Sequence, residues 1–273
     1  MKGPWSLASL ETHLSPSGLD HPFDVTDDVS NISLLSDKTI SVNERLIVAL
    51  DVSSEREAKE IVSELGTSVE FYKLGLQMLM SGSYFETVSW LREQGKQVFA
   101  DIKFFDVPRT VASSVEQLQG RGVKFATVHG NDEMLRSACA VKHDTKILAV
   151  TVLTSLDEQD MISLGFDTDI PRLVLSRARR ALDLGCDGVI SSGMESRELR
   201  QSLGQNFLVV VPGIRPGKNT GEDDQKRTVD IEEAFTNGAD YIVVGRPILD
   251  APDRHSAADA MQKRIRTLFA TPQ

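Results

Sequence analysis

The chain has 273 residues, 40% of them hydrophobic, and a formal net charge of −10. That is enough apolar material for a sizeable core in one or two domains, and the acidic balance argues against nucleic acid or an anionic membrane surface as the main partner. No apolar run approaches the length that spans a bilayer. The two cysteines, Cys139 and Cys186, lack a C-x-x-C spacing, so neither a metal site nor a disulfide framework is predicted and a reducing cytoplasm fits.

Residues 1–43 are rich in Ser, Asp, Thr, Pro and Gly and show little periodicity or secretory-leader pattern. They are expected to form a poorly ordered extension ahead of one domain over 44–273. From residue 45 short apolar runs alternate with amphipathic segments. A strand at 46–50 leads through the candidate N-cap Ser54 to a helix at 55–65 and Gly66. A strand at 69–73 is followed by Ser83, a helix at 84–94 and Gly95; a strand at 97–102 by a helix at 109–120; and a strand at 125–128 by a helix at 131–141. The fifth strand, 146–151, precedes Asp169 and a helix at 170–184, with Pro171 tolerated in its first turn and Gly185 beyond it. Strands at 188–191, 207–211 and 241–244 alternate with helices at 194–203, 230–237 and 257–269. The glycines after helices suit C-terminal caps. Strand–helix alternation predicts a parallel sheet, and continuous apolar runs fit strands covered on both faces. Eight units predict an α/β fold closed as a (β/α)8 barrel; an open doubly wound sheet is the rival that the strand count disfavours.

In such a barrel the chemistry sits at the C-terminal strand ends. Asp51, Lys73, Asp101, Lys103, His129, Thr154, Ser155, Arg215, Gly245 and Arg246 all fall there. The richest stretch is Asp101-Ile102-Lys103-Phe104-Phe105-Asp106-Val107-Pro108. Residues two apart in a strand share a face, so Asp101 and Lys103 are expected to point the same way, with Asp106 just beyond. Two carboxylates then bracket one ammonium, an arrangement costly to desolvate for packing alone and useful where a proton must be delivered. His129 is read as a structural histidine. Pro212-Gly213-Ile214-Arg215-Pro216-Gly217 and Gly245-Arg246-Pro247 open the last two loops, where barrels often hold phosphate. Gly245 permits close backbone approach and Arg246 offers forked donors to phosphate oxygens. Gln225 lies in a long polar loop, 218–227, of a kind that often serves as a lid. No Walker or G-x-G-x-x-G motif is present, so no nucleotide cofactor is indicated.

Taken together, these residues resemble the orotidine 5′-monophosphate decarboxylase family over about 45–247. The resemblance rests on six motifs in order: Ala49-Leu50-Asp51, Lys73-Leu74-Gly75, Asp101-x-Lys103-x-x-Asp106-x-Pro108-x-Thr110, Val150-Thr151-Val152-Leu153-Thr154-Ser155, Pro212-Gly213-Ile214-Arg215-Pro216 and Gly245-Arg246-Pro247. It implies conversion of orotidine monophosphate to uridine monophosphate and CO2, a step of pyrimidine biosynthesis, without metal or organic cofactor. Lys103 would protonate C6, Asp101 would face the substrate carboxylate, Asp51 and Lys73 would hold the ribose, and Thr154 would lie near the pyrimidine. Arg215, Gln225, Gly245 and Arg246 would gather the phosphate. Asp106 and Thr110 would reach into the neighbouring subunit's site, which implies a homodimer.

Phe105 stands where the family commonly has His, Arg109 where it often has Asn, and Gly130-Asn131-Asp132-Glu133 replaces a small, Gly-rich run. None of these removes a proposed catalytic group. Two other readings use the same motifs: a magnesium-dependent keto-sugar-phosphate decarboxylase, which would need a further acidic metal ligand where Leu76 and Gln77 stand, and a phosphoribosyl-binding sensor without catalysis.

Overall fold

The computed structural model describes residues 33–129, 131–166, 169–216 and 227–270. Eight strands close a parallel barrel in sequence order: β1 Leu46–Ala49, β2 Phe71–Gly75, β3 Gln97–Phe104, β4 Val123–His129, β5 Lys146–Val150, β6 Gly188–Ile190, β7 Leu208–Val211 and β8 Tyr241–Val244, with β8 pairing back onto β1. The helices are α1 Glu55–Leu65, α2 Leu76–Met80, α3 Tyr84–Glu93, α4 Pro108–Glu116, α5 Asp132–Ala140, α6 Glu158–Ser163, α7 Ile170–Asp183, α8 Ser196–Leu203, α9 Ile231–Thr236, α10 Arg246–Leu249 and α11 Arg254–Ala270. The expected barrel is therefore present. The short α2, α6 and α10, all on the C-terminal rim, are additional to the predicted elements. Ser54 and Asp169 cap their helices by accepting from the N–H groups of Glu57 and Arg172. Ser83 does not cap α3; its hydroxyl lies 3.1 Å from that of Ser81 instead.

Alternation along each strand separates two cores. Outward residues such as Val48, Tyr72, Val98 and Val209 pack against the helices, while Ile47, Phe71, Phe99, Phe125, Leu148, Val210 and Tyr241 fill the barrel. Phe125 lies 5.2 Å from Phe71 and 5.1 Å from Tyr241 between ring centroids, so aromatic rings plug the lower barrel. Burying one such side chain contributes about 1.5–3 kcal/mol. The next inward positions toward the rim are Asp51, Lys73, Asp101 and Thr127. The period that builds the core thus delivers polar groups to its top.

Residues 34–43, expected to belong to the poorly ordered extension, lie against the opposite end of the barrel. The backbone N–H of Leu34 donates to Thr236 O at 2.8 Å, and Ser36 and Lys38 both donate to Asp240 Oδ1. Asp240 is fully buried and also accepts from Arg200 Nη2 at 2.7 Å and the Val209 N–H at 2.9 Å. A buried carboxylate requires such partners, and the segment before β1 supplies two of them.

Candidate active site

Site residues converge from several strand ends on one cavity of about 630 Å³. Ala49, Phe99, Val150, Ile190 and Val243 contribute its apolar lining, and Asp51, Lys73, Asp101, Lys103, Thr154, Arg215, Gly245 and Arg246 its polar groups. Eight of the eleven expected site residues are therefore brought together.

The charges form an alternating chain. Lys73 Nζ lies 3.0 Å from Asp51 Oδ1 and 3.4 Å from Asp101 Oδ2, and Lys103 Nζ lies 2.9 Å from both oxygens of Asp101. Burial opposes the charge on Lys73, but Asp101 and Asp51 outweigh it and hold its pKa above the ordinary value. Burial likewise opposes ionisation of Asp101; Lys73, Lys103 and the hydrogen bonds from Lys103 and Thr127 prevail and keep it below the usual carboxylate range. Both groups are charged at neutral pH. Gly75 leaves room for this chain: a Cβ there would stand 3.3 Å from both Asp51 Oδ1 and Lys73 Nζ.

Asp101 and Lys103 do not meet through simple strand alternation. The pairing of β3 with β4 jumps from Ala100↔Ala126 to Phe104↔Val128, so two extra residues bulge out of β3. Within the bulge Lys103 has φ +52°, a left-handed conformation that costs a non-glycine residue about 1–3 kcal/mol. Such bulges re-aim side chains beside active sites. Thr127 pins the bulge: its Oγ1 accepts from the Lys103 N–H at 2.9 Å and donates to Asp101 Oδ1 at 2.9 Å. Sequence reasoning missed Thr127, although it is the one polar residue in the apolar run 125–128.

Asp106 does not bracket Lys103 within the chain. It is exposed, and its carboxylate accepts from the adjacent Val107 N–H at 2.6 Å. It is not among the residues that line the cavity, and neither is Thr110 on α4, which is exposed as well. Gln225 lies outside the described residues. His129 is half-buried, with its ring edge-on to Phe105 at 5.4 Å, and lines a second, mostly apolar cavity of about 730 Å³ beside α5, α6 and α7. Burial, Arg177 and Lys103 lower its pKa, so the ring is neutral at neutral pH.

A second missed residue is Arg227. Only 8% exposed, it pairs with Glu195 and donates from Nη2 to the carbonyl oxygens of Val152 and Leu153 at 3.1 and 3.0 Å. It thereby ties the segment after β7 to the segment after β5, immediately before Thr154. Nearby, the Arg215 N–H donates to Val229 O at 3.0 Å, which fixes the base of the same loop.

The family model described as orotidine 5′-phosphate decarboxylase / HUMPS matches residues 44–261. A protein of Methylococcus capsulatus named orotidine 5′-phosphate decarboxylase is 56% identical over 238 residues, covering 87% of this chain and 98% of that protein. One of Xanthomonas euvesicatoria with the same name is 48% identical, covering 86% of this chain and 96% of that protein. The crystal structure of orotidine 5′-phosphate decarboxylase from Lactobacillus acidophilus superposes with a TM-score of 0.71 at 34% identity, covering 81% of this chain and 99% of that one. The chain belongs to the orotidine 5′-phosphate decarboxylase / HUMPS family.

Proposed function

We propose that this enzyme decarboxylates orotidine 5′-monophosphate to uridine 5′-monophosphate and CO2, with Lys103 protonating C6. The observation that carries the reading is the Asp51–Lys73–Asp101–Lys103 chain of alternating charges on the strand tips. Loss of CO2 from C6 leaves a carbanion orthogonal to the ring π system, with little resonance relief. An ammonium already held in position stabilises that charge without reorganisation and then supplies the proton. Asp101 faces the departing carboxylate and holds the Lys103 ammonium. Asp51 and Lys73 bind the ribose, and Thr154 sits at the pyrimidine.

Arg215, Gln225, Gly245 and Arg246 bind the phosphate. Binding energy gathered there, away from C6, is available to orient the reacting ring. Among the described residues no cluster of His, Cys, Asp and Glu is arranged to hold a metal ion.

We further propose a homodimer in which Asp106 and Thr110 complete the partner's cavity. Phe105 and Val107 flank Asp106 and are 66% and 61% exposed. Apolar side chains displayed together mark an association surface. The two free cysteines fit a cytoplasmic setting.

The test is an absorbance assay of orotidine monophosphate loss, run with and without a chelator. Equal turnover in both supports the reading. Activity abolished by the chelator points to the magnesium-dependent chemistry, and phosphoribosyl binding without turnover to a sensor.

A further inference from the structure

Cys139 and Cys186 are 47 residues apart in sequence, yet the fold sets their sulfurs 3.5 Å from each other. Cys139 is the penultimate residue of α5, and Cys186 lies two residues before β6, so the pair sits at the N-terminal end of the barrel, opposite the charged cavity. Cys139 is half-buried and Cys186 buried. Their surroundings are fixed. Lys142 Nζ donates to Gly185 O and to Asp187 Oδ2, both at 2.7 Å. Asp187 Oδ2 also accepts from the Ile147 N–H at 2.8 Å, and the Cys186 N–H donates to Ala181 O at 3.0 Å. The residues on both sides of Cys186 are thus anchored to the segment that follows Cys139.

We propose that Cys139 and Cys186 are an oxidisable thiol pair that hydroperoxides convert to an intramolecular disulfide, stapling α5 to the strand β6 region. A disulfide bond is about 2.05 Å long, so the sulfurs must close by roughly 1.5 Å, within the reach of side-chain rotation. Cys139 is the less buried member, and its thiol is held below its ordinary pKa by the hydrogen bond with Cys186, with Lys142 assisting. That favours Cys139 as the attacking thiolate. Its sulfur attacks the hydroperoxide: an S–O bond forms, the O–O bond breaks, and water or an alcohol leaves. The Cys186 sulfur then attacks that of Cys139: the S–S bond forms, the S–O bond breaks, and hydroxide leaves with the Cys186 proton as water. Two thiols are oxidised and one hydroperoxide is reduced.

The bond closes a loop containing β5, α6 and α7, so it restricts the unfolded chain while leaving the rim untouched. The experiment treats the full chain with hydrogen peroxide, counts free thiols and maps linked peptides. Expected are paired loss of both thiols, a Cys139–Cys186 peptide, reversal by a dithiol reductant, and a melting temperature higher by roughly 5–15 °C. Orotidine monophosphate turnover, if present in the reduced enzyme, should be unchanged. In Cys186→Ala, Cys139 should stop at a sulfenic acid trappable by a cyclic diketone. In Cys139→Ala, Cys186 should stay reduced at the same dose. Persistence of both thiols in the unmutated chain, a disulfide only between chains, an unchanged melting temperature, or equally fast oxidation of Cys186 in Cys139→Ala would each overturn the proposal. None of these readouts depends on the decarboxylase reading.

Discussion

Lys103 and Thr127 are joined through the backbone of a bulge: the Lys103 N–H donates to Thr127 Oγ1 at 2.9 Å while that hydroxyl gives its own hydrogen to Asp101. One hydroxyl therefore positions both the proposed acid and its partner carboxylate. Thr127→Val keeps the shape and removes both bonds. A hydrogen bond to a charged group contributes about 1.5–3 kcal/mol, so kcat should fall roughly ten- to a hundredfold. Thr127→Ser should recover most of it. Loss of the bond also raises the Asp101 pKa, so the acid limb of the pH–rate profile should move to higher pH. The sign follows from the depressed native pKa of Asp101: its stabilising contribution is complete above its unfolded value and is lost as pH falls through the native one. An unchanged acid limb would remove Thr127 from this role.

Lys103→Ala removes the proposed proton donor. Turnover should drop at least the roughly 10²–10⁴-fold typical of general acid–base groups, and binding of a substrate analogue should survive better than turnover. Near-normal kcat would mean that another group supplies the proton.

Arg246→Ala should weaken affinity roughly ten- to a hundredfold through the phosphate, from the about 1.5–3 kcal/mol of a charge-assisted bond. The loss should vanish with a substrate lacking phosphate. Equal losses for nucleotide and nucleoside would place Arg246 elsewhere.

The reach of the sequence follows from which interactions are periodic. Barrel closure and the positions of Asp51, Lys73 and Asp101 follow from strand alternation, because each is the next inward residue after a core position. The helices α2, α6 and α10 span only 5, 6 and 4 residues, too short for a 3.6-residue period to emerge. Thr127 and Arg227 act through bonds to the backbone and side chains of other strands and loops, contacts that no local pattern encodes. Residues 34–43 looked loose because their anchor, Asp240, lies some 200 positions away: Ser36 and Lys38 are separated from it by 204 and 202 residues.

That anchor makes a stability prediction. Asp240→Asn leaves the Arg200 and Lys38 charges without their carboxylate. Breaking a buried pair costs about 3–5 kcal/mol, which for a domain of this size lowers the melting temperature by roughly 6–20 °C. Removing residues 1–43 should also lower it, because Ser36 and Lys38 leave with the segment. A truncated chain that melts with the full one would show that these contacts contribute nothing net.

The exposed position of Asp106 leads to a test of the shared site. If Asp106 works in the partner's cavity while Lys103 works in its own, Lys103→Ala and Asp106→Ala homodimers each carry two impaired sites. In a mixed dimer one cavity lacks both groups. The other keeps its own Lys103 and receives an intact Asp106. Random mixing of equal amounts gives about half mixed dimers, each with one good cavity of two, so roughly a quarter of normal sites should return, as two-fold symmetry requires. The two variants are dissociated, mixed and reassociated, and orotidine monophosphate turnover is measured beside a check that mixed dimers formed. Recovery near a quarter would assign Asp106 to the neighbouring cavity. With mixed dimers confirmed and no recovery, Asp106 would have to serve its own chain, although it is exposed and does not line that chain's cavity.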